Sequence, residues 1–124
     1  MEKVEEFFDR GVLHPGHPPI VDFVTLAASS KSLKAGTILK AGSNGFEPAG
    51  DSDTPSAVLL ADVGAHASEA TTGVPVARHG IVVRSRLLDF SSSAEAVAND
   101  TLTAKLPGAG IYLTQGGWSE SNFR

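Results

Sequence analysis

A chain of 124 residues with net charge -4, no cysteine, 41% hydrophobic and 19% charged residues suits one core and is too short for two joined by a linker. The lack of cysteine excludes disulfides and thiolate metal ligands. Ten scattered Lys and Arg in an acidic chain do not make the basic stripe that a phosphate backbone requires, so nucleic acid is not an expected partner. No long apolar run is present and Met1 leads into Glu2, Lys3, Val4, Glu5 and Glu6, so neither a membrane span nor a secretory signal is expected and the cytoplasm is the expected compartment.

Taken in chain order, Val4, Phe7 and Phe8 fall at i, i+3 and i+4, the spacing that gathers them on one face of a short helix with an acidic opposite face. His14-Pro15-Gly16-His17-Pro18-Pro19 then excludes both helix and central strand, because each proline removes a backbone donor and fixes φ. Residues 1–19 therefore read as an N-terminal arm. Ile20 to Leu26 alternates β-branched and aromatic positions at the strand period and opens the body. Leu33 to Lys40 reads as a turn into a second strand, closed by Ala41-Gly42 and Asn44-Gly45. Ser43 to Pro55 reads as a long acidic, glycine-rich loop.

Ala57 to Val63 is an apolar run of strand length, and Val74 to Arg84 is the longest β-rich stretch in the chain. Ser92 with Glu95 has capping-box spacing, and Ala94 to Ala98 favours the one short helix expected in the body. Leu106 to Gly110 reads as a loop and Ile111 to Thr114 as a closing strand. The expected class is mostly β with one short helix (α+β), the body spanning 20–114 and a tail 115–124 carrying the sole Trp, Trp118.

Chemistry-bearing residues are sparse. His14 and His17 lack a Cys or carboxylate to complete a metal set, and His66 and His79 lack a serine in a nucleophile elbow. Asp51 and Asp53 do not continue into a calcium-binding loop, and no glycine-rich segment has phosphate-loop order. Neither enzyme activity, nor a metal, nor a cofactor is expected. Arg78, Arg84 and Arg86, spaced by even numbers, would share one face of a regular strand, either as an interface row or as a solvated face. Phe7 and Phe8 mark either a partner site or a segment folded back on the body.

The order of these segments resembles the lambda-type bacteriophage head decoration family. Val21-Asp22-Phe23-Val24-Thr25-Leu26, then Leu33-Lys34-Ala35-Gly36-Thr37-Ile38-Leu39, then Ala57-Val58-Leu59-Leu60-Ala61-Asp62-Val63 is similar to that family's succession of strand, "L-K-x-G-T-[VI]-L" and "A-V-L-L-x-D-V". Val74 to Val82 resembles its "V-x-V-x-x-x-G-x-V" strand, and Leu106 through Gly110-Ile111-Tyr112-Leu113 its closing helix-to-"G-I" strand. The acidic start, the Pro107-Gly108 insertion and the Trp118 tail depart from the pattern.

The resemblance implies a β-tulip body and assembly as a homotrimer on an HK97-type major capsid protein. That places it on the outer surface of the virion after assembly in the host cytoplasm, strengthening the expanded head. It also implies that the arm contacts the shell, with Val4, Phe7, Phe8, His14, Pro15, His17, Pro18 and Pro19 as its candidate contacts and Arg78, Arg84 and Arg86 as candidates for the trimer interface. The alternative from another class is a phage or bacterial β-barrel module binding carbohydrate or another ligand, which needs a concave aromatic-lined site.

Overall fold

The computed structural model describes residues 12–14, 19–29, 31–50, 52–83, 86–89, 96–97 and 100–114. Val4, Phe7, Phe8, Pro15, His17, Pro18, Asp51, Arg84, the Ser92–Glu95 capping pair and the 115–124 tail lie outside them. The described strands are β1 (Leu13–His14), β2 (Ile20–Leu26), β3 (Ile38–Gly42), β4 (Gly45–Pro48), β5 (Ala57–Leu59), β6 (Thr71–Val83), β7 (Leu88–Asp89), β8 (Ala96–Val97) and β9 (Ile111–Thr114). A helical turn, α1, spans Asp100–Thr103 and a 3-10 turn spans Leu106–Ala109. The chain is thus mostly β with a short helix, and all strands but β7 and β8 join one mixed seven-stranded sheet.

β6 organises that sheet. Ala77 pairs with Val21 of β2 and also with Val58 of β5, and Val76 with both Asp22 and Leu59, so β2 and β5 flank the middle of β6 on opposite sides. From β2 the pairings pass to β4 at Leu26↔Phe46, from β4 to β3, from β3 to β5, and so return to β6. Further along, β6 holds β9 in parallel register, Gly80↔Ile111 through Val83↔Thr114. There its opposite flank is taken by β1, with Leu13↔Val82 and His14↔Ile81. β1 and β2 thus pair with successive stretches of β6, residues 81–82 and 71–79.

The alternation of side chains divides the core in two. One cluster takes Leu26 from β2, Leu39 from β3, Ala57 and Leu59 from β5, and Val74 and Val76 from β6, with Phe46 of β4 packed against it. The other takes Ile38, Val58, Ala77 and Val82 from the opposite face of the same strands. It is covered by Val12, Leu87, Leu102, Leu106 and Ile111. β5 is buried along its whole length because Ala57 and Leu59 face one cluster and Val58 the other. Each fully buried Leu or Ile contributes about 1.5–3 kcal/mol relative to exposure.

Two of the sequence marks fasten to each other. Lys34 to Thr37 is a tight turn in which the Thr37 N–H and its Oγ1 both donate to the Lys34 carbonyl, at 3.1 and 2.7 Å, which satisfies a threonine that is fully buried. Gly36 sits at φ 101, and a Cβ there would overlap the carbonyl oxygen of Arg86, so only glycine fits. The Ala35 N–H donates to Asp62 Oδ1 at 2.9 Å. The Gly36 N–H donates to the Leu59 carbonyl at 2.7 Å, and Leu33 and Val63 exchange backbone hydrogen bonds of 2.8 and 2.7 Å.

Three expectations need correction. The helix does not lie over Ala94–Ala98: Ala96–Val97 is β8, paired antiparallel with Leu88–Asp89, and the helical turn follows at Asp100–Thr103. Alanine's helix preference is worth only tenths of a kcal/mol per residue, and a strand pairing outweighs it. The expected loop Ser43–Pro55 contains β4, which the two-residue turn Ser43-Asn44 joins to β3 through the Gly42↔Gly45 pair; Gly45 sits at φ 125, and a Cβ there would press on the Thr25 carbonyl oxygen at 2.8 Å, so glycine is favoured. The segment expected to be arm contributes Val12, only 2% exposed, to the core. The packed body therefore includes residues 12–14 as well as those from Ile20 onward.

Candidate functional site

Two surfaces of the described residues are distinctive: the open strand edges and a cleft beside the middle of β6.

Among the described residues, the exposed large hydrophobic side chains are Ile20, Phe23 and Tyr112. Ile20 and Phe23 lie on β2, which meets β4 only at Leu26 and so leaves its outer edge unpaired from Ile20 to Val24 among the described pairings. On that edge the Phe23 N–H is taken by the neighbouring Asp22 Oδ1 at 3.0 Å, and across from it stands Pro75, which has no N–H to offer. Tyr112 lies on β9, which among the described residues pairs only with β6, and its ring stands edge-on to His79 at 6.1 Å between centroids. Open edges flanked by apolar side chains are templates for further strand pairing.

The cleft has a volume of about 410 Å³ and lies between Thr54–Ser56, Arg78 and the turn from Lys105 to Ala109. Its position follows from three backbone anchors. The Ser56 N–H bonds to the Leu39 carbonyl at 2.8 Å, the Lys105 N–H to Leu102 at 3.1 Å and the Gly108 N–H to Lys105 at 3.2 Å. Asp53 ties the neighbouring loop: its Oδ2 accepts from the Gly50 N–H at 2.7 Å and its Oδ1 from Lys40 Nζ at 3.1 Å. Lys40 also lies 3.5 Å from Glu47. The Gly50 N–H, then the Lys40 ammonium, hold the Asp53 carboxyl below its ordinary value, and the Asp53 hydrogen bond holds Lys40 above its own.

Arg78 is steadied on two sides. Its guanidinium carbon lies 5.3 Å from the centre of the Phe46 ring, and Nη1 lies 3.7 Å from Asp22 Oδ2. Arg86 is exposed but lies beyond the end of β6 at Val83, so Arg78 and Arg86 do not share one strand face and the expected single-strand row is not formed. The backbone of His14 lies in β1 against Ile81, and Pro19 is half-buried just before β2. His66 pins the 64–66 segment to the 27–29 segment, its ring nitrogens lying 2.8 Å from the Gly64 carbonyl and 2.9 Å from that of Ala27. Lys105, Thr54 and Ser56 escape a reading of the sequence because only the fold brings them beside Arg78. No group of three or more His, Cys, Asp or Glu that could hold a metal occurs among the described residues. No family model, curated protein or solved structure matches the chain.

Proposed function

We propose that this chain is a capsid decoration protein of the lambda type. It binds in threes to the outside of an expanded phage head at local three-fold sites and strengthens the shell against the pressure of packed DNA. The observation that carries this reading is that the residues bearing the resemblance are one another's partners. The "L-K-x-G-T" turn and the "A-V-L-L-x-D-V" run are locked by Leu33–Val63, Ala35–Asp62 and Gly36–Leu59 hydrogen bonds. The Val74 to Val82 mark lies on the strand to which both β2 and the closing β9 pair. The circuit of pairings from β6 through β2, β4, β3 and β5 around one apolar cluster is read as the small barrel of a β-tulip.

The assembly follows from the edges. A ring of three uses two different patches on each subunit, and β2 and β9 pair with different stretches of β6, 71–79 and 80–83, each with an unpaired edge among the described residues and an exposed aromatic residue, Phe23 or Tyr112. A decoration protein needs complementary surfaces rather than an activated side chain, and many weak contacts acting together resist expansion of the shell. The arm, with Val4, Phe7 and Phe8 ahead of the packed residues 12–14 and the Pro15 to Pro18 segment after them, is the proposed anchor to the major capsid protein. The ligand-binding alternative has in its favour the cleft beside Arg78, which Tyr112 does not line.

Sedimentation velocity of purified protein tests the assembly. A trimer that Phe23→Asp or Tyr112→Asp dissociates agrees with the proposal, and a dimer both in solution and on particles contradicts it.

A further inference from the structure

We infer that the cleft beside β6 is a binding site for an oxyanion, a carboxylate or a phosphate group. This inference is independent of the decoration reading. The described cleft walls carry two cations, Arg78 and Lys105, and two hydroxyls, Thr54 and Ser56, and no carboxylate among the described residues lines it. In the neighbouring loop both Asp53 carboxylate oxygens are engaged by Lys40 and the Gly50 N–H, and the Asp53 main-chain carbonyl accepts from Lys105 Nζ at 2.9 Å. That contact fixes the Lys105 ammonium at the rim of the cleft.

The guanidinium is likewise held in place before any ligand arrives, by the Phe46 ring beneath it and by Asp22 to one side. Asp22 engages one edge through a single 3.7 Å contact in which both side chains are substantially exposed, 41% and 55%, a geometry that binds weakly. A guanidinium has five donors in a planar fork, and a bidentate oxyanion is the partner that fork fits. A pre-positioned fork with an ammonium and two hydroxyls around one cleft is the donor set of an oxyanion site. The volume of about 410 Å³ exceeds a bare anion, so the group bound is carried on a small organic molecule or a partner's side chain.

The test is an amide-resolved NMR titration of the full chain with sodium acetate and, separately, sodium phosphate, against sodium chloride at matched ionic strength. The expected result is saturable shifts confined to residues 54–56, 78 and 105–109, with a dissociation constant on the order of millimolar for at least one of the two anions. Acetate alone assigns a carboxylate, phosphate alone a phosphoryl group, and both the shared chemistry. Arg78→Gln weakens binding by about tenfold or more, and Asp22→Asn tightens it by releasing the competing carboxylate.

A Cβ at Gly108 meets nothing within 4 Å, so Gly108→Phe fills the cleft with the fold intact and abolishes the shifts. The inference is overturned if neither anion gives saturable shifts, if chloride reproduces them, or if Arg78→Gln and Gly108→Phe proteins with native spectra bind as wild type does.

Discussion

Val12→Ala removes two methyl groups from a side chain that is 2% exposed and packed with Ile38, Leu60, Val82, Leu106 and Ile111. At about 0.8 kcal/mol per methylene-sized group the lost transfer energy is roughly 1.6 kcal/mol. The cavity left in a close-packed cluster raises the total to about 2–3 kcal/mol. Urea unfolding followed by circular dichroism measures it, and an unchanged slope shows that the difference lies in stability. Deleting residues 1–18, so that the chain starts at Pro19, should destabilise further, because it also removes β1 and its pairing with Ile81 and Val82. A Val12→Ala protein within about 0.5 kcal/mol of wild type, or an undiminished chain from Pro19, would refute the packing of this segment into the body.

Gly36→Ala should destabilise by more than about 2 kcal/mol, since it forces φ 101 on a residue with a side chain and drives Cβ into the Arg86 carbonyl; thermal denaturation checks it, and a neutral effect contradicts the turn geometry. Asp53, whose folded pKa is depressed, contributes stability that is present above its ordinary value of 3.8 and lost as pH falls through the lower folded value. Lys40, raised above 10.5, contributes fully below that pH and loses its contribution as pH rises through the folded value. Asp53→Asn should therefore flatten the acid limb of stability below pH 3.8, and an acid limb identical to wild type in unfolding melts would contradict the assignment. Phe7→Ala with Phe8→Ala should weaken binding to undecorated heads by about 2–4 kcal/mol per site if these rings are the anchor, read as occupancy by quantitative gel analysis, and unchanged occupancy moves the anchor to the body.

What was legible in the sequence followed from short-range pattern. Ile20–Leu26 and Ile111–Thr114 are strands over the residues the sequence indicated, and the β-rich stretch Val74 to Arg84 is strand from Val74 to Val83, within a strand that begins earlier, at Thr71. The pattern failed where partners far along the chain decide. Ala96 and Val97 have helix-favouring residues beside them in sequence but a strand partner in Leu88 and Asp89. Gly45 to Pro48 looks like loop, yet the Ser43-Asn44 turn folds it back on β3. Val12 precedes a run of prolines that reads as a boundary, although the chain on both sides of that run lies along β6. The cleft was the least legible feature, because Thr54, Arg78 and Lys105 carry no shared motif and meet only through the fold.

Cryo-electron reconstruction of expanded heads, assembled from an HK97-type major capsid protein and incubated with purified protein, tests capsid decoration most directly. The account predicts three copies of this chain around each local three-fold axis on the outer surface, with β2 of one subunit facing β9 of the next and the N-terminal segment against the shell. Bare three-fold axes at saturating protein would contradict it.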